Sequence, residues 1–278
     1  MINTNSLKQI IHSDIRQSMR SRWFWAYSLL FGGFVAVMFA SGITESQIIG
    51  FVGLSRLMVT FMQISMAILP IYVLISTVRS VVGDRENSVM EYMLSLPISF
   101  SSYFWGKLIG RFLLIYVPIF IALVGAVLWA MITKVDVPWD LFILYSILLA
   151  SLVFFFLGLS MYISAKAKNQ EIAVSTAFII WLFLVAFIDL ILIGIMLKMR
   201  GNPDLIIGLG MLNPLQVFRT GSLILFDPQL TVMGTASYYI LDTVNRTVFI
   251  IFSVLYPIAL GFVFSILGNR YFNRNDVV

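Results

Sequence analysis

The 278-residue chain is 60% apolar and only 11% charged, and its 18 Lys and Arg against 13 Asp and Glu leave a formal net charge of +5. A soluble domain carries about a quarter charged residues; this chain has too few to cover a core, and its mean hydropathy of +0.97 reads as a membrane protein. Soluble-enzyme, disordered and nucleic-acid-binding classes are excluded on that ground, and the lack of cysteine removes disulfides, thiolate catalysis and thiolate metal sites.

From the amino end, Leu7, Ile10, Ile11, Ile15 and Met19 recur at helical spacing, while Lys8, Arg16 and Arg20 fall elsewhere on the wheel. That pattern predicts an amphipathic helix lying in the inner membrane interface. No short apolar run with a small-residue cleavage site follows, so the first span is expected to serve as an uncleaved anchor. Runs free of Asp, Glu, Lys and Arg then cover residues 23–44, 57–78, 112–133, 141–165 and 247–269. Each is long enough to cross a hydrocarbon core of about 30 Å. A sixth stretch, 172–197, is interrupted by Asp189 and reads as one span with a buried acid. The expectation is an all-α integral membrane protein of six transmembrane helices, forming one domain over residues 1–278.

Basic residues decide the sidedness. Lys8, Arg16, Arg20, Arg22, Arg79, Arg85, Lys107, Arg111, Lys166, Lys168, Arg270 and Arg274 fall on one side. Arg56, Lys134, Lys198, Arg200, Arg219 and Arg246 fall on the other. Both termini are therefore expected in the cytoplasm. The long outer segment between spans five and six holds two apolar runs, 205–218 and 228–241, too short to cross and too apolar to float. Re-entrant or interfacial helices are expected there.

The inner segment between spans two and three is the most informative. Asp84 and Glu86 suit a helix amino end and Pro97 its close, predicting a short amphipathic helix over 84–96. Val89, Met93 and Leu96 form one apolar row and Met90 with Leu94 a second, while Glu91 and Tyr92 project differently. Docking on a separate protein and packing on the chain's own bundle are both open on these grounds.

Glu86-x-Ser88, then Glu91-x-x-Leu94-Ser95-x-Pro97-Ile98-Ser99 and Gly106-Lys107, resemble the cytosolic loop of type-2 ABC transporter permeases. The amino-terminal helix ending in Arg20-Ser21-Arg22 resembles their connecting helix, and the resemblance extends over the whole chain. It implies that 84–96 is a coupling helix seated in a groove of a separate cytosolic ATPase subunit. Glu86 and Glu91 would be polar contacts, Val89, Met93 and Leu94 would fill the groove, and Asp84 and Met90 belong to the same coupling set. The run from Trp181 through Asp189, together with Leu212-Asn213-Pro214 and Phe218-Arg219, resembles the permease subunits of transporters that mature nitrous oxide reductase. This finer resemblance implies a homodimer in the bacterial inner membrane, two ATPase subunits inside, a periplasmic accessory protein outside, and assembly of a copper–sulfur centre as the output. The chain departs from that subgroup at Ser88-Val89, where a Gly-Thr pair is usual.

The chain carries no phosphate-binding loop of its own. Its one Gly-Lys pair, Gly106-Lys107, has Ser101 in place of the first glycine and Leu108 in place of the hydroxyl residue. ATP and Mg are thus expected on the partner, and no cofactor on this chain. There is no His-Glu-x-x-His helix and no histidine placed to activate a serine, so the chain is expected to be non-catalytic. Asp189 in a span costs at least about 2.5 kcal/mol. It is either a pathway or gate residue at a dimer seam, facing Arg219, or a hydrated and tolerated acid. Met58, Met62 and Met66 share one face; thioethers suit Cu(I), but a packing stripe is the stronger reading and no metal site is assigned. Pro70, Pro118 and Pro257 should kink spans two, three and six. Two rival functions stand beside the permease: a generic exporter of a drug, lipid or polysaccharide, and an ATPase-independent secondary transporter or scaffold, which would show clustered intramembrane charge or an inverted repeat.

Overall fold

The computed structural model describes residues 4–22, 24–30, 33, 54–90, 92, 98–132, 134, 139–187, 190, 191, 194, 208–226 and 245–275, all in helices or short links between them. In chain order the helices are α1 (Thr4–Met19), α2 (Leu54–Glu86), α3 (Phe100–Ile132), α4 (Trp139–Lys166), α5 (Gln170–Leu182, continued by a π-helical turn Phe183–Phe187), α6 (Pro214–Phe226) and α7 (Arg246–Asn275). Four stretches of the described residues are long and apolar enough to cross a membrane: Met62–Glu86, Phe100–Ile132, Trp139–Lys166 and Arg246–Arg274. Gln170–Ala186 is a shorter apolar helix. Most of the expected first span, Asp189, and the second outer run at 228–241 lie outside the described residues.

The bundle is built around α4, whose apolar residues run all round the helix, as a fully surrounded helix requires. In its most apolar window 67% of residues are buried, against 22% for the peripheral α7. The seam between these two helices is cut for close approach by small residues, which let backbones meet where lipid offers no competing hydrophobic drive. A Cβ on Gly158 would sit 2.3 Å from the Gly261 carbonyl oxygen, and one on Gly268 would sit 3.1 Å from Tyr162 Cα. Pro70, Pro118 and Pro257 lie inside α2, α3 and α7 as expected. Of the methionine stripe, Met62 is buried and Met66 packs against the core, while the Met58 side chain lies outside the described residues.

Two expectations are corrected in detail. The helix foreseen over 84–96 does not begin at Asp84: α2 runs unbroken to Glu86, so Asp84 and Glu86 close a long helix rather than open a short one. The carboxylates lie there because their partners come from other helices: Asp84 meets the Lys107 cation and Glu86 the amide groups of Gln170. Helical turns resume at Val89 after a break at Asn87 and Ser88. Ser88 holds the break with φ of 55°, a left-handed conformation that glycine adopts without steric cost. On α1, the buried stripe is Ser6, Ile10, Asp14 and Ser18, while Leu7, Ile11 and Ile15 lie half-buried beside it and Met19 is exposed. The small and polar side is the inner one because α1 is laid against two glycines of α3: Cβ atoms on Gly106 and Gly110 would meet Ile10 Cγ2 at 2.9 Å and Asp14 Oδ2 at 3.2 Å.

Candidate functional site

One end of the bundle gathers α1, the end of α2, the start of α3, the α4–α5 turn and the end of α7. Tyr103, Lys107 and Arg111 recur every fourth residue along α3 and so share one face. That face meets the antiparallel α2. The Lys107 ammonium donates to the Ser80 carbonyl at 2.7 Å and to the Asp84 carboxylate. The Tyr103 hydroxyl also donates to Asp84, and Lys107 lies 5.2 Å from the centre of the Tyr103 ring. One turn deeper, Arg111 donates to the Ser76 carbonyl at 3.2 Å and pairs through Nε with Asp14 of α1 at 3.1 Å. The side chains of Asp14 and Lys107 are 3% and 9% exposed, so these charges are withdrawn from solvent and each has an opposite charge to compensate it.

The next two residues of α2 grip the α4–α5 turn. Arg85 donates to the carbonyls of Ala165 at 3.2 Å and Ala167 at 3.1 Å, placing a cation on the carboxyl end of α4. Glu86 accepts from the backbone N–H of Gln170 at 3.0 Å and from its side-chain amide at 2.7 Å, placing an anion on the amino end of α5. Ser164 adds a third tie, its hydroxyl oxygen accepting from the N–H groups of Val81 and Val82. Asn169 caps α5 by accepting from Ile172 N–H at 2.8 Å. The start of α3 is fixed from the other side. Ser99 accepts from Ser102 N–H, Asn273 of α7 donates to the Ser101 hydroxyl, and Phe272 packs against Phe100, Tyr103 and Phe104.

Asp84 and Glu86, expected as contacts for another protein, are therefore engaged inside the chain, and Met90 is buried in the core. What extends from this clamped end is the segment after the Ser88 break, where Val89 is 38% and Tyr92 is 68% exposed. Glu91, Met93 and Leu94 lie outside the described residues. The sequence reading missed Asp14, Tyr103 and Gln170, counted Arg111 only toward sidedness, and gave Lys107 no role beyond sidedness and the Gly106-Lys107 motif. The available signal was the four-residue spacing of Tyr103, Lys107 and Arg111 in an otherwise apolar helix.

At the far end of the bundle, the Leu212-Asn213-Pro214 motif opens α6 inside the first outer run. Asn213 is buried; its side-chain oxygen accepts from Leu215 N–H at 3.0 Å and its amide donates to the Leu184 carbonyl at 2.7 Å. Leu184 belongs to the π-helical turn, whose wider ring leaves a carbonyl to be satisfied from outside. The Tyr256 hydroxyl of α7 donates to the Leu212 carbonyl at 2.8 Å. Arg219 lies on the exposed side of α6, and its expected partner Asp189 lies outside the described residues. No cluster of three or more His, Cys, Asp or Glu is found among the described residues. The arrangement is mechanical: charged ties at one end, an amide tie at the other, and continuous helices between.

Comparison with known proteins bears on what such an arrangement drives. A family model described as ABC-2 family transporter protein matches residues 9–277. A Stutzerimonas stutzeri protein named "Probable ABC transporter permease protein NosY" is 25% identical over 242 residues, covering 84% of this chain and 87% of that protein. A Pseudomonas aeruginosa protein of the same name is 25% identical over 227 residues, covering 78% and 82%.

Proposed function

The chain belongs to the ABC-2 family of transporter proteins, and from that premise we propose that it converts ATP hydrolysis in a separate cytosolic ATPase subunit into movement of its own membrane helices. The observation that carries this reading is the exposure of Val89 and Tyr92 just beyond a helix end whose last three residues, Asp84, Arg85 and Glu86, are each tied to a neighbouring helix or turn. A push on the segment after Ser88 meets a rigid joint. Through Asp84 and Lys107 it reaches α3, through Arg111 and Asp14 it reaches α1, and through Arg85 and Glu86 it reaches α4 and α5. The displacement of α5 then reaches α6 through Asn213 and the Leu184 carbonyl. In this reading the joint faces the cytoplasm with both termini, ATP and Mg are bound by the ATPase, and Glu91, Met93 and Leu94 complete the docking surface with Val89. Asp189 and Arg219 form the gate on the far side. The working unit is a homodimer in the bacterial inner membrane, with a periplasmic accessory protein seated on the outer segment. The likeness to the two NosY permeases supports maturation of the copper–sulfur centre of nitrous oxide reductase as the output.

The test is co-purification of the tagged chain from its host in mild detergent. The unaltered chain is expected to bring down an ABC ATPase, and Val89→Glu with Glu91→Lys to lose it while eluting as a folded membrane protein. Recovery of the folded chain without an ATPase would refute the coupling reading. Deletion of the chain's gene is expected to leave nitrous oxide reductase without its copper–sulfur absorption; an intact centre would reassign the output to generic export.

A further inference from the structure

Between the α1–first-span junction and the α2–α3 hairpin lies a cavity of about 630 Å³, within the usual range for ligand sites. Among the described residues three stretches of chain line it, and all three change character in the same direction. Entering from α1, Gln17, Ser18 and Ser21 give way to Phe24, Ala26 and Leu30. On α2, Arg79 and Ser76 give way to Ile71 and Ile68, about 16 Å deeper at 1.5 Å per residue. On α3, Arg111 gives way to Leu114. A polar, cationic mouth over an apolar floor follows the polarity profile of a membrane leaflet from headgroup to acyl chain.

We propose that this cavity binds an anionic membrane lipid, its phosphate held at Arg79 and Arg111 and its acyl chain lying along Ile68, Ile71 and Leu30. Arg79 is exposed and has no carboxylate within ion-pair distance among the described residues. Arg111 is held in place by Asp14 and the Ser76 carbonyl, and these two bonds do not exhaust its five donors. Asp14 stands behind Arg111 and does not line the cavity. A free phosphate would be satisfied by the mouth alone; the apolar floor, including the stacked Tyr27 and Tyr72 rings, selects an amphiphile. Because the walls belong to α1, the start of the first span, α2 and α3, an occupant stiffens three of the helices that the joint connects. The inference rests on the chain's membrane setting and not on any cargo.

The full-length chain, with any ATPase that co-purifies, is delipidated in detergent. It is then incubated with phosphatidylglycerol or phosphatidylethanolamine of matched acyl chains and read by native mass spectrometry. Phosphatidylglycerol is expected to be retained about fivefold better, the effect of one cation near a lipid phosphate. Arg79→Ala should lose that preference and Arg79→Lys should keep it. Ala26→Trp, which fills the floor from an exposed position, should lose the lipid without unfolding the chain. Equal retention of the two lipids, or undiminished phosphatidylglycerol in Arg79→Ala or Ala26→Trp, overturns the proposal. Displacement of the lipid by inorganic phosphate would make the mouth a free-anion site. Disulfide cross-linking of Ile71→Cys between two copies in native membranes, readable because the chain has no cysteine of its own, would make the cavity a seam. Either result also overturns it.

Discussion

Removing the Asp84–Lys107 pair is expected to cost unequal amounts from its two sides. Lys107 is 9% exposed at its side chain, and its ammonium is satisfied by Asp84 and the Ser80 carbonyl. Asp84 is 20% exposed, at a helix end, and also accepts from the Tyr103 hydroxyl. Asp84→Ala therefore strands a buried cation with one neutral acceptor, which costs about 3–5 kcal/mol. Lys107→Met leaves a carboxylate that keeps a hydroxyl donor and has water within reach, which costs about 1–3 kcal/mol. The double variant removes both charges and should recover at least about 1 kcal/mol relative to Asp84→Ala alone. The assay is unfolding by sodium dodecyl sulfate titrated into dodecyl maltoside micelles, followed by tryptophan fluorescence; Trp105 lies two residues from Lys107. If Asp84→Ala costs no more than Lys107→Met, or if the double variant equals the sum of the singles, the pair is hydrated and the joint is not the rigid element argued above.

Three further outcomes are expected. Gly158→Ala forces α4 and α7 apart against a backbone oxygen and should cost about 1–3 kcal/mol, whereas Gly125→Ala, with open space around its Cβ, should gain up to about 1 kcal/mol from helix propensity; the same unfolding titration reads both. At Ser88, whose φ of 55° already strains serine, Ser88→Val should cost up to about 1 kcal/mol more, because a β-branched side chain crowds the left-handed region further, while Ser88→Gly should change stability by about 0.5 kcal/mol or less, since relieved strain is offset by chain entropy. Asn213→Leu should cost about 1–3 kcal/mol by orphaning Leu184 and Leu215. Asn213→Ser keeps a neutral capping oxygen but loses the donor to Leu184, so a comparable loss would locate the effect in the tie to α5, and full stability would place it in the cap alone.

Membrane residence was written in composition, because hydrocarbon tolerates only segments that are almost free of charge over their whole length. Spans two, three, four and six were legible for that reason, as was the grouping of basic segments that the fold gathers at one end of the bundle. The resemblance of the loop and of the Leu212–Pro214 motif also placed the chain in the family that the whole-chain match identifies. Ser88 was visible as a departure from that subgroup's glycine, although only φ explains why glycine suits the position.

Tertiary structure decided which charges are tied to the chain's own helices. Asp84 and Glu86 look alike in sequence, as acids near a predicted helix start. In the fold they end α2, one against Lys107 and the other against the amino end of α5. Likewise, the apolar stripe of α1 suggested its inner face, yet glycines on α3 admit the smaller face carrying Asp14. Periodicity along one helix reports the average environment of a face. Pairing depends on which residues a second helix brings opposite, across 97 residues between Asp14 and Arg111 and 172 between Ser101 and Asn273, and no local pattern encodes that choice.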